Sequence, residues 1–185
     1  MVLSTIVFVY TLTTALWYVP TGEASSGAEL PIEALSSSLP ARLVIPALHI
    51  DASVQKVGVK ADGNMATPSN FSDVAWYKHG TVPGQLGSAV ISGHVDNGLA
   101  LAGVFKHLTE LRVGDDVFVE QQDGNTLHFV VEAIESYPYK AAPAEKIFVQ
   151  NDAARLNLIT CEGVWMKSEK TYDRRLVVFT KLVAS

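Results

Sequence analysis

The chain has 185 residues, 48% of them hydrophobic and 18% charged, with a formal net charge of −5 at pH 7. That length supports one domain with a sizeable core plus a short extension. The acidic balance, without a basic patch or aromatic-basic stripe, excludes nucleic acid as an expected partner; the single cysteine, Cys161, excludes an intramolecular disulfide and any multi-cysteine metal site.

From Met1 to Pro20 no side chain is charged, and Val2 to Val19 is mostly apolar. A run of about 18 residues is near the lower limit for a helix that spans a bilayer. No Lys or Arg precedes it, whereas Glu23 and Glu29 follow, an asymmetry that favours a C-terminus outside the membrane. Residues 1–20 are therefore expected to form a transmembrane signal anchor, ahead of a cleaved signal peptide or a buried core helix. The stretch Gly22-Glu23-Ala24-Ser25-Ser26 is a poor match to a cleavage site. Residues 21–40, rich in Ser, Gly, Ala, Glu and Pro, read as a linker, with a short helix between Ala28 and Ser38. The expected arrangement is a single-pass protein of the cell membrane with residues 41–185 as an extracytoplasmic domain.

From residue 42 the apolar pattern is that of strands, near 42–46, 50–58, 73–77, 87–93, 116–121, 126–136, 155–161 and 175–182. Asp62-Gly63 and Asp123-Gly124 are turn signals, and the second separates two alternating runs as a hairpin does. Short helices are expected near Leu101 to Leu111 and near Pro143 to Phe148, where a proline suits a helix start. Eight strands with short helical connections predict a mainly β fold, a closed or nearly closed barrel.

Three strand ends bring together residue types that do acyl transfer. Cys161 closes the run Leu156-Asn157-Leu158-Ile159-Thr160, His94 closes Ala89-Val90-Ile91-Ser92-Gly93, and Arg174-Arg175 open Leu176-Val177-Val178-Phe179. They offer a nucleophile, a proton-transfer group and an oxyanion partner. A lone cysteine is more often a buried, inert side chain; the three signals in this order favour chemistry. The other histidines (His49, His79, His107, His128) show no helical metal-ligand spacing, so no metal site is expected.

These segments resemble the sortase family, the bacterial cysteine transpeptidases that attach surface proteins to the cell wall. The likeness rests on Leu158-Ile159-Thr160-Cys161 against the family's T-L-x-T-C, on Gly93-His94, and on Arg174-Arg175-Leu176-Val177-Val178 against its Arg-x-hydrophobic strand. It spans residues 42 to 183, and Ala75-Trp76-Tyr77 through His94-Val95-Asp96 most resembles the class F group. The resemblance implies an eight-stranded sortase barrel and a cysteine peptidase that works without cofactors. It implies Cys161 as nucleophile, His94 as general acid and base, and an arginine on the oxyanion. Arg174 fits the family spacing better than Arg175, which is kept as the alternative. Thr160, Asp96 and Trp165 are expected as supporting or substrate-binding residues: Thr160 through its hydroxyl, Asp96 near His94 or in a turn, Trp165 along the groove.

The implied reaction is cleavage of an LPXTG-like sorting signal between Thr and Gly through a Cys161 thioester. Transfer then goes to an amine of the cell wall. The same scaffold also serves as a hydrolase or a pilin polymerase, although residues 20–40 lack the Asp-Pro-aromatic motif of a pilin-specific lid. An L,D-transpeptidase reading fails on its His-Gly-Cys-hydrophobic-Arg segment, which is absent here. A non-enzymatic anchored barrel with a structural Cys161 is the remaining alternative.

Overall fold

A computed structural model of the chain describes residues 38–97 and 101–183. Eight strands run in chain order: β1 (Pro40–Ile45), β2 (Ile50–Val57), β3 (Val74–Tyr77), β4 (Gly87–Gly93), β5 (Asp116–Gln121), β6 (Thr126–Pro138), β7 (Ala154–Met166) and β8 (Thr171–Leu182). They close into a barrel in the order β1-β2-β3-β4-β7-β8-β6-β5, with β5 returning to β1. The β2/β3 and β4/β7 pairs are parallel and the others antiparallel. The expected mainly β barrel is therefore the observed one.

Side-chain alternation builds the barrel from the inside. Leu43 and Ile45 of β1, Val117 and Val119 of β5, Leu156 and Leu158 of β7, and Leu176 and Val178 of β8 fill one continuous core. Each such side chain contributes roughly 1.5–3 kcal/mol by leaving water. The outward residues of β4 and β8, Val90, Val177 and Phe179, form a second buried cluster with Ile147 of the short helix α1 (Ala144–Phe148). Burial on both faces explains why Ala89-Val90-Ile91 and Leu176-Val177-Val178-Phe179 read as unbroken apolar runs. Asn157, fully buried on β7, donates from Nδ2 to the Ile147 carbonyl at 2.7 Å and ties the helix to the sheet.

Two expectations change. The helix expected over 101–111 is only a 3-10 turn at Leu108–Glu110. Phe105, Leu108 and Leu111 are all buried, and their spacing of three mimics one face of a helix. The chain here follows the exit of β4 instead, with Gly103 N–H bonded to the Val95 carbonyl and Phe105 N–H to the His94 carbonyl. The second change is length: β7 and β8 continue past the expected 155–161 and 175–182 as a hairpin arm with a bulge between Glu162 and Trp165. Val164 and Trp165 are exposed there, so no burial period marks the arm. The helix near Pro143 is found at Ala144–Phe148.

The expected anchor (1–20), most of the linker (21–40) and the short helix at Ala28 to Ser38 lie outside the described residues, except that Pro40 already belongs to β1. Among the described residues no helix is long and apolar enough to cross a membrane.

Candidate active site

Parallel pairing of β4 with β7 aligns Ser92 with Ile159. His94 and Cys161 each follow two residues after this last aligned pair. The Thr160 hydroxyl, itself buried, donates to the Gly93 carbonyl at 2.9 Å and locks the alignment. Gly93 has no room for a side chain, since a Cβ would sit 2.5 Å from the Phe105 ring. The Gly-His and Thr-Cys pairs thus meet at one place for packing reasons.

On the other side of β7, Cys161 is paired directly with Arg175 of β8, and Glu162 with Arg174. Residues paired across a ladder share a face, and neighbours along a strand take opposite faces. Arg175 therefore shares the Cys161 face. Its guanidinium donates to the carbonyls of Tyr172 (3.0 Å) and Arg174 (2.9 Å) and to the Thr171 hydroxyl (2.8 Å), and stacks over Tyr139. A guanidinium carries five N–H groups, so donors remain for an incoming oxygen. Arg174 lies on the opposite face. It donates to Ser136 Oγ at 2.7 Å and to the Ser136 carbonyl at 2.8 Å, and its Nε is 3.9 Å from the Glu162 carboxylate, which also accepts from Ser136. The preference for Arg174 read from spacing is at odds with this register. Arg174 ties β6, β7 and β8 together, and Arg175 is the arginine beside the sulfur.

Cys161 is half-buried. Burial pushes its thiol above the usual value of 9.0; the charge of Arg175 opposes this most, the Asp96 carboxylate adds to the rise, and Lys60 and the Tyr172 N–H work against it. The resting side chain is a neutral thiol at neutral pH. Alkylation by iodoacetamide is accordingly expected to accelerate with pH through an inflection above the ordinary thiol range of about 8.5. An inflection at or below neutral pH, by mass analysis of the Cys161 adduct, contradicts that environment.

His94 Nε2 lies 3.0 Å from the Pro68 carbonyl, and its ring packs on Phe71 at 4.8 Å. A carbonyl only accepts, so Nε2 carries the hydrogen and Nδ1 of the neutral ring is the atom open to proton exchange. None of the described hydrogen bonds joins His94 to Cys161. Asp96 accepts instead from the Tyr172 hydroxyl, whose own proton is held so firmly that its pKa rises to about 12. Trp165 is half-exposed and packs edge-on against Tyr172 at 5.4 Å. Cys161, Thr160, Asp96 and Tyr172 line a cleft of about 180 Å³ together with Lys106 and Thr109. A wider depression of about 520 Å³, beside His49, Phe71 and Gly103, holds none of the expected site residues.

Pro68, Phe71, Ser136, Tyr139 and Tyr172 carry no motif signal; only strand pairing and the loop before β3 bring them here.

The family model for the sortase domain matches residues 43–183. Solved structures with the same fold include the lid mutant of sortase A from Corynebacterium diphtheriae, at 19% identity and a TM-score of 0.61 over 80% of this chain and 71% of that one. Sortase C-1 from Actinomyces oris matches at 21% identity and a TM-score of 0.61, over 78% and 73%. Sortase C from Clostridium perfringens matches at 17% identity and a TM-score of 0.58, over 80% and 71%. No curated protein matches the sequence. At these identities the solved structures speak for the barrel alone, and the family model, which takes in the Gly-His, Thr-Cys and Arg-Arg segments, decides the assignment: this chain belongs to the sortase family.

Proposed function

We propose that the protein is a membrane-anchored cysteine transpeptidase that acts outside the cytoplasmic membrane on an LPXTG-like sorting signal. Cys161 gives its proton to His94 as the sulfur attacks the Thr-Gly carbonyl. Arg175, rather than Arg174, donates to the oxygen as it gains charge; a guanidinium stays protonated and holds its hydrogen bonds in a fixed fork. The His94 imidazolium then protonates the departing glycine amine, leaving a thioester on Cys161. An amine of the cell wall takes the acyl group. These bond changes call for no metal or organic cofactor.

The observation that carries the reading is the direct cross-strand pairing of Cys161 with Arg175, next to the β4/β7 alignment that the Thr160–Gly93 hydrogen bond extends toward His94. A high thiol pKa fits a nucleophile whose proton leaves only as substrate excludes water and histidine accepts it. Residues 1–20 supply the anchor in this proposal, with residues 21–40 as the tether. The test is a library of LPXTG-type peptides incubated with the protein, followed by chromatography for the released Gly-containing tail. Tail release from one or more members supports the reading. Intact peptides throughout, with folded protein, contradict it.

A further inference from the structure

The two sides of Cys161 differ in chemistry. The outer face carries apolar side chains beside the Cys161–Arg175 pair, among them Ile159, Val177 and Ala142. The barrel-mouth side is the cleft that Cys161 shares with the polar side chains of Asp96, Thr109 and Tyr172 and with the apolar Val95, Phe105 and Leu176. Asp96 is out of place for a site whose only task is to make a thiolate. Its charge pushes the thiol pKa up, against Arg175. No Lys or Arg forms an ion pair with Asp96 among the described residues. Its carboxylate accepts from the phenol of Tyr172, a residue whose backbone N–H also faces Cys161.

The conflict disappears once Cys161 is acylated, because a thioester has no charge for Asp96 to repel. The carboxylate then stands in a polar cleft next to an electrophile. We propose that this cleft is the acceptor subsite and that Asp96 anchors the acceptor's ammonium group, with the Tyr172 hydroxyl as the partner it displaces. The inference rests on the acyl-transfer reading above and adds the place and charge of the second substrate. The chemical class is a primary amine, either the N-terminus of a glycine peptide or a lysine side chain.

The step balances as follows. The ammonium held by Asp96 gives one proton to neutral His94, and the freed nitrogen pair forms the C–N bond to the thioester carbonyl. The C–S bond breaks, and the departing sulfur takes the second proton from nitrogen. An amide, a Cys161 thiol and a His94 imidazolium remain.

The test partitions the acyl-enzyme, made from an LPETG peptide, between water and three nucleophiles: triglycine, Nα-acetyl-lysine and hydroxylamine. The first two arrive as cations, and hydroxylamine is uncharged at neutral pH. Asp96→Asn is expected to raise the concentration of the preferred cationic amine needed for half-partition about tenfold, the size of one charge-assisted hydrogen bond, without a matching shift for hydroxylamine. Tyr172→Phe is expected to lower that concentration, because Asp96 loses its competitor. The cationic amine that saturates identifies the source. Equal shifts for charged and uncharged nucleophiles, or no shift for any, overturn the subsite. Absence of an acyl-enzyme from the parent protein overturns the acyl-transfer reading itself. Thermal melts of both variants verify that the fold is retained.

Discussion

Cys161→Ala protein is expected to form no acyl-enzyme and release no Gly-containing tail, while folding and melting within a few degrees of the parent. The activity loss is total within detection because the chain has no other thiol on which a thioester can form; removing the nucleophile of a covalent-catalysis protease lowers turnover by roughly a millionfold. Stability is little affected because Cys161 is only half-buried and Ala removes one atom; changes of this sort stay within about 1 kcal/mol. Peptide cleavage measured beside a thermal melt separates the two readings of this thiol. An alanine variant that is active, or one that unfolds with several kcal/mol lost, makes Cys161 a packing residue.

The arginines are expected to divide by face. Arg175→Ala removes the charge that most favours the Cys161 thiolate and, in the proposed mechanism, the donor to the developing oxyanion. Loss of a single oxyanion donor lowers kcat by about 100- to 1,000-fold. Arg175→Lys is expected to recover only a fraction, since an ammonium is a point donor without the planar fork. Arg174→Ala leaves Ser136 and Glu162 without their cation and is expected to lower the unfolding midpoint with a smaller effect on kcat. Steady-state kinetics and melts on the three variants decide the matter. A larger kcat loss in Arg174→Ala than in Arg175→Ala would reverse the assignment.

The register that pairs Arg175 with Cys161 turns on one residue of bulge. The family's Arg-x-hydrophobic spacing favours Arg174, whereas in the structure β7 carries an extra residue between Glu162 and Trp165. A one-residue offset exchanges the faces of Arg174 and Arg175. Strand positions were legible where both faces or alternate faces are buried, as in β4, β5 and the first half of β7. The hairpin arm was not, since neither of its faces is consistently covered. His94 and Cys161 stand out in the sequence because each ends an apolar run, and the structure pairs those two runs in parallel as far as Ser92 and Ile159. Asp96 was visible as a candidate two residues after His94, but its partner Tyr172 lies 76 residues on and is joined to it only by the closed sheet.

The central claim is a thioester on Cys161, and intact-mass analysis tests it most directly. The 185-residue chain, incubated with an LPETG-type peptide or a library around that motif, is expected to gain the mass of the peptide without its Gly-containing tail. The same gain is expected to be absent from Cys161→Ala. No adduct with any member, in folded protein whose thiol also resists a small alkylating reagent at high pH, contradicts the account and leaves a sortase-fold barrel that binds without catalysing acyl transfer.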